Sequence, residues 1–349
     1  MIFLIDFHKV KDFLLENLLH QIKFINAPLH KFLKSLNNKL TNWFIFILLS
    51  LIWGSSFILM IKGLVSLNAY QVASLRIIFS GLVLLPVAIK HFKSIPKNKL
   101  FIVFLSGLQG SLLPAYLFCI AETKLDSSLA GSLNALTPVF VILMGSLFFN
   151  NKVAKNKIFG ICISFAGSIL LYFAQPLGHY DLTSFLFTLL IVLATLMYGL
   201  NVNMVGKYLG GIPSLHIAAV ALSLNAIPAL VVLYFTGYFS QDIFSRPMLA
   251  ATGYTFILGV VGTAFASIIF YMLMKRAGMV FASMVTYAIP AVAIMWAILY
   301  KHNDIIFAGS LSFKEVITII FHSWWKQFIC LLVILSGVYI ANRVQKDIE

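Results

Sequence analysis

The feature that most constrains this chain is a succession of ten apolar stretches, each 18 to 26 residues long, separated by short polar segments. They run over 43–62, 70–89, 100–121, 127–149, 157–174, 182–205, 213–236, 249–274, 278–300 and 324–342. Stretches of this length match the roughly 20 residues a helix needs to cross the hydrocarbon core of a bilayer. No water is available there to satisfy backbone N–H and C=O groups, so each stretch is expected to be a helix that bonds within itself. Composition points the same way, because 61% of residues are apolar and only 10% are charged. A soluble domain carries about a quarter charged residues. The expected fold class is therefore an all-α polytopic membrane protein with ten transmembrane helices.

The net charge of +14 would suit a nucleic-acid partner only if it formed a basic face on a soluble fold. Here the lysines lie between the apolar stretches. With the N-terminus inside, the cytoplasmic side receives 18 of the 25 Lys and Arg residues and the outside six, with Arg76 the remaining one, inside a stretch. That excess predicts a multi-pass protein of the cell (inner) membrane with both termini cytoplasmic. The partners expected are the lipid bilayer and a small-molecule substrate, with no nucleic acid; a homodimer is left open. Cys119, Cys162 and Cys330 sit inside apolar stretches without CxxC or Cys/His spacing, and His91, His179, His216, His302 and His322 are scattered singly. No metal, cofactor or disulfide framework is expected. A membrane-embedded enzyme, which would need paired carboxylates or a histidine cluster near an interface, finds no support.

Residues 1–42 differ from the rest. Apolar residues from Phe3 to Leu40 recur at steps of three and four and draw one stripe on a helix, with Asp6, Lys9, Asp12, Glu16, Lys23, Lys31 and Lys34 off it. Pro28 is expected to break this segment into two helices. Two readings stand side by side: a helix pair lying in the membrane interface, or a tail packed on the protein or a partner. Met1–Ile5 is too short an apolar run for a signal peptide, and no cleavage is expected.

The sequence also repeats internally. Trp53 and Gly54 fall on Tyr198 and Gly199 at an offset of 145; Gly107, Gly110, Ala130 and Pro138 fall on Gly259, Gly262, Ala282 and Pro290 at 152; Gly167 falls on Gly337 at 170. Each half, 43–174 and 182–342, contains five stretches. An odd number makes the second half enter the membrane from the opposite side, which predicts an inverted repeat and two conformations related by exchange of roles. At these residues the chain resembles the ten-helix, EamA-domain members of the drug/metabolite transporter superfamily. The resemblance rests on Trp53-Gly54-Ser55-Ser56-Phe57, Arg76, Ala130 to Pro138, Gly160 to Gly167, Ala282 to Pro290 and Gly337 to Asn342. It implies two five-helix EamA-like halves and a role in carrying a metabolite. The Gly-Glu pair common in that family after the fourth and ninth helices is replaced by Asn150-Asn151 and Asn303-Asp304, and the loop 301–323 is enlarged. Within it, Ser312 and Glu315 have capping-box spacing ahead of an expected short interfacial helix, Phe313 to His322.

Arg76 is the one charge well inside a stretch, so it should face a wet cavity or a partner. Its planar fork of donors suits a carboxylate or phosphate, and it can equally snorkel or bond neighbouring carbonyls. Asn134, Thr137, Asn201, Asn203, Asn225, Thr286 and Tyr287 supply intramembrane hydrogen-bond groups, either for a solute or as interhelical links. Trp53, Tyr116, Tyr198 and Trp296 are candidate aromatic walls. Pro138 and Pro290 each remove a backbone hydrogen bond and are candidate hinges. The glycines at 54, 107, 110, 199, 259 and 262 permit close helix approach.

The expected function is a secondary transporter that moves a small anionic or zwitterionic metabolite, such as an amino acid or a nucleotide-like compound, by alternating access. The alternative is a drug or metabolite efflux permease with ion coupling. No Asp or Glu lies deep in any stretch, Glu122 coming nearest at the outer end of the third. A buried-carboxylate proton antiport is therefore not expected, and passive exchange or facilitated diffusion is.

Overall fold

The structure is a computed structural model, and it describes residues 39–151, 155–173, 182–301, 325–326, 328–337 and 339–340. The amphipathic stripe of 1–38 and the interfacial helix expected within 301–323 lie outside the described residues. Of residues 1–45 only 39–45 are described, and there α1 begins.

Among the described residues the chain is built of helices. Seven are long and apolar enough to cross a membrane: α1 (Lys39–Leu64), α2 (Ala69–His91), α3 (Lys97–Ala121), α4 (Leu129–Phe149), α6 (Leu182–Tyr208), α7 (Ser214–Phe235) and α8 (Arg246–Ala277). Three further apolar helices are α5 (Lys155–Phe173), α9, made of Met279–Ser283 and Val285–Lys301, and α10 (Phe328–Gly337). Local chemistry sets several ends. Asn68 caps α2 by accepting from Gln71 N at 2.9 Å, while Gln71 returns a side-chain acceptor to Asn68 N at 3.0 Å. Asn150 ends α4 in the left-handed region at φ 57°, and Gly278 separates α8 from α9 at φ 90°.

The large apolar side chains Leu82, Ile89, Phe148 and Phe235 point outward, as expected where the solvent is lipid. Contacts between helices use small residues and buried amides instead. A Cβ on Gly81 of α2 would meet Ala226 Cβ of α7 at 2.7 Å, and Ser223 Oγ donates to Gly81 O at 3.0 Å. On α7, Asn225 Nδ2 donates to Phe104 O of α3 at 3.0 Å and to Ala221 O at 2.8 Å. Gly199 of α6 lies against the Phe140 backbone of α4, and Gly337 of α10 against that of Gly160 and Ser164 of α5.

Four interruptions shape the interior. α3 widens into a π turn at Leu108–Leu112, and α8 does the same at Val260–Phe265, 152 residues later. α4 tightens into a 3-10 turn at Asn134–Leu136, and α9 breaks at Met284. Pro138 and Pro290 lie four residues past Asn134 and Thr286. A proline has no N–H for the carbonyl four residues back, so those two carbonyls lose their helical donor. At Asn134 O, Thr137 takes over with two donors, its N–H across the 3-10 turn and its Oγ1 at 2.8 Å.

Candidate functional site

The interruptions converge on a cavity of about 100 Å³. Its wall includes Trp53, Ser56 and Phe57 of α1, Arg76 of α2, and Gly110 and Phe118 of α3. From the other side come Tyr198 and Asn201 of α6, Gly262, Thr263 and Tyr271 of α8, and Thr286 of α9. Asn134 and Thr137 of α4 complete it.

The π turn in α8 explains how the charged group is held. Widening a helix by one residue frees carbonyls from the regular ladder. Trp53 Nε1 donates to one of them, Gly262 O, at 3.1 Å. The same turn presents Thr263, whose Oγ1 accepts from Arg76 Nε at 2.7 Å and donates to Leu258 O at 3.3 Å. Among the described residues, Arg76 Nη1 meets only the Met60 sulfur, at 3.8 Å. The guanidinium is thus fixed by its Nε edge.

The cavity wall is also exchanged between the halves. A Cβ on Gly262 would meet Ser56 Oγ at 2.7 Å, and one on Gly110 would meet the Asn201 amide, with Cγ at 2.8 Å. Ser56 and Asn201 are 145 residues apart, and Gly110 and Gly262 are 152 apart. Each π turn therefore receives a polar side chain from the first helix of the other half. Three rings stand at one side: Phe118 meets Phe57 edge-on at 5.9 Å and stacks on Tyr198 at 6.2 Å.

Of the residues singled out by sequence, Trp53, Arg76, Asn134, Thr137, Asn201 and Thr286 come together on this cavity. Asn203, Tyr287 and Trp296 lie off it. Asn203 Nδ2 bonds Val141 O at 2.7 Å and Gly199 O at 2.8 Å, and its Oδ1 accepts from Asn151 at 3.0 Å, which makes it a link between α4 and α6. Tyr287 is buried beside Ser164 of α5, and Trp296 Nε1 donates to Ser55 Oγ at 2.9 Å. Pro138 and Pro290 are not on its wall; each lies four residues past a wall residue, Asn134 and Thr286. Ser56, Thr263 and Tyr271 were not singled out as binding groups, although Ser56 stands in the Trp-Gly-Ser-Ser-Phe run and Thr263 directly follows Gly262. Glu122 departs from expectation. It is only 7% exposed, and among the described residues neither carboxylate oxygen has a hydrogen-bond partner.

Residues 41–173 and again 186–321 match the EamA-like transporter family. The chain belongs to that family. An EamA-like transporter is a membrane protein that moves small molecules, so the general function is transport rather than catalysis. The chain is 23% identical over 307 residues to an uncharacterized transporter of Archaeoglobus fulgidus, covering 86% of this chain and 98% of that one. It is 24% identical over 292 residues to protein PagO of Salmonella typhimurium, covering 79% and 88%. A solved crystal structure shares the fold at TM-score 0.58 and 15% identity, covering 86% of this chain and 96% of the other. The two family matches fall on the two halves of the sequence repeat.

Proposed function

We propose that this EamA-like transporter is a secondary carrier for a small anionic or zwitterionic solute, with Arg76 as its charge partner. The observation that carries this reading is a guanidinium on the wall of a cavity whose Nε is held by Thr263 while Nη1, among the described residues, meets only a thioether. A cation in that setting favours a carboxylate or phosphate, and Arg is suited to either. Size narrows the class. The cavity of about 100 Å³ is below the roughly 300–1,000 Å³ of sites for drug-sized ligands. It favours an amino acid or small organic acid over a nucleotide-like compound.

The matched π turns and the matched breaks before Pro138 and Pro290 support two halves that exchange roles around this cavity, in an inverted ten-helix arrangement working by alternating access. The lysine and arginine distribution supports cytoplasmic termini and the inner membrane. The test is uptake by proteoliposomes of labelled glutamate, aspartate, malate and nucleoside monophosphates. Arg76→Gln should raise KM for the accepted acid by roughly 10- to 150-fold, the equivalent of one charge-assisted hydrogen bond of about 1.5–3 kcal/mol. Unchanged KM in Arg76→Gln would remove Arg76 from the site.

A further inference from the structure

The helix that carries Phe118 of the aromatic trio ends on a carboxyl group that the solute pathway just described does not use. Glu122 follows the last turn of α3, one residue beyond the apolar stretch ending at Ala121, and its N–H bonds Phe118 O at 2.9 Å. Phe118 is the ring that meets Phe57 and Tyr198. The Glu122 side chain is buried, and among the described residues no donor reaches Oε1 or Oε2. It also sits at the carbonyl end of a helix, where negative charge is disfavoured.

An ionised carboxylate left there without donors would be a buried charge with no hydrogen-bond compensation. A protonated one carries no such penalty. Arg76 of α2 reaches this end of α3 through Met60, whose sulfur meets Arg76 Nη1 at 3.8 Å and Cys119 Sγ at 3.7 Å; the other titratable groups that act here, among the described residues, are Tyr198 from α6 and Tyr116 and Cys119 on α3 itself. Lys124 and Asp126, in the turn to α4, are exposed. Of the inward groups only Arg76 is charged at neutral pH, and its Nε is engaged by Thr263. Burial pushes the Glu122 carboxyl well above the usual carboxylate range, while the Arg76 charge pulls it down.

We propose that Glu122 is a proton-binding site, occupied in this conformation, whose proton affinity is linked to the charge on Arg76. The link rests on the reading of Arg76 as the solute's charge partner only in its consequence for transport. An anion that neutralises Arg76 removes the one positive charge favouring Glu122 carboxylate, so the protonated form gains. Proton and anion then bind with positive coupling, and by reciprocity each raises the affinity for the other. The proton comes from the aqueous phase and returns to it when this end of α3 opens and water can solvate the carboxylate. The pair that crosses, RCOO⁻ with H⁺, is electrically neutral. This replaces the uncoupled exchange expected from the sequence with proton-linked movement.

The experiment needs no solute. The full-length protein in proteoliposomes is titrated while infrared difference spectra are recorded for wild type, Glu122→Gln and Arg76→Gln. Wild type should show the C=O stretch of a protonated, buried carboxyl at neutral pH, and Glu122→Gln should lack it. In Arg76→Gln the band should persist to higher pH, with proton affinity raised about threefold or more. A wild-type spectrum without the band at neutral pH, or a band that Glu122→Gln leaves in place, overturns the proposal; an unmoved midpoint in Arg76→Gln overturns the link. Glu122→Asp, which must shift the same band, serves if the Gln variant does not fold. Failure of Arg76 as solute partner appears instead in the uptake assay and leaves these spectra unchanged.

Discussion

Gly107→Ala should be one of the more damaging single-methyl additions in this protein. A Cβ there would fall on Asn225 Nδ2 and 2.7 Å from Ala221 O, in the backbone of α7. Asn225 cannot move aside without cost, because the same amide holds Phe104 O at 3.0 Å and Ala221 O at 2.8 Å. Overpacking of this kind costs about 1–3 kcal/mol, and two intramembrane hydrogen bonds add about 0.6 kcal/mol each. The expected loss is about 2–4 kcal/mol, or roughly 30- to 1,000-fold in the folded population. Gly253 is the control: it lies in α8 with nothing within 4 Å of its would-be Cβ, so Gly253→Ala should gain about 0.5–1 kcal/mol from helix propensity alone. Reversible unfolding of both variants in the same detergent or bicelle, read by tryptophan fluorescence, compares them directly. Adding Asn225→Ala to Gly107→Ala should recover only the amide's part, since the Ala221 carbonyl remains. A Gly107→Ala protein as stable as Gly253→Ala would refute the packing of α3 against α7.

Other outcomes follow from the same geometry. Trp53→Phe removes the donor to Gly262 O and should cost about 1 kcal/mol, near fivefold in KM, whereas Trp296→Phe should leave KM unchanged; initial rates of proteoliposome uptake separate them. Pro138→Ala lets a regular α turn replace the 3-10 turn at Asn134–Leu136, so the solute exchange rate should fall in the same uptake assay. The raised Glu122 carboxyl predicts a pH-dependent stability. Its contribution is complete below the unfolded value of about 4.3 and is lost as pH rises through the folded value. Melting temperatures should therefore fall with rising pH above about 5 in wild type, and more gently in Glu122→Gln.

How far the sequence disclosed the molecule depends on what each feature answers to. The positions of the seven long apolar helices were legible because backbone satisfaction in lipid is local: a helix such as 127–149 needs no partner to be recognised. The breaks near Asn134 and Thr286 were legible through Pro138 and Pro290, since a missing N–H is written in the chain. The π turns were not. Gly107, Gly110, Gly259 and Gly262 read as packing residues, and whether a helix gains a residue there depends on Ser56 or Asn201 arriving from elsewhere. Neighbouring polar residues also split: Thr286 faces the cavity while Tyr287 turns to Ser164, because successive residues of a helix point about 100° apart and the sequence does not say which of them faces inward. The place of Glu122 at the outer end of the third stretch was legible, but its burial was not, because that depends on how α3 packs.

The two halves match in backbone more closely than in side chains, and this has a mechanical consequence. Both π turns receive a polar side chain, but Ser56 at Gly262 is small and Asn201 at Gly110 is an amide. Trp53 donates to the α8 turn, whereas its counterpart Tyr198 stacks on Phe118. Arg76 has a hydroxyl partner, Thr263, on the α8 turn, and Glu122 occupies the end of α3 alone. If the halves exchange roles, the two end states share a backbone plan but not an energy. The difference is carried by a few polar groups, each worth about 1 kcal/mol. A bias of that size leaves both states populated, and a solute on Arg76 or a proton on Glu122 is then sufficient to tip it.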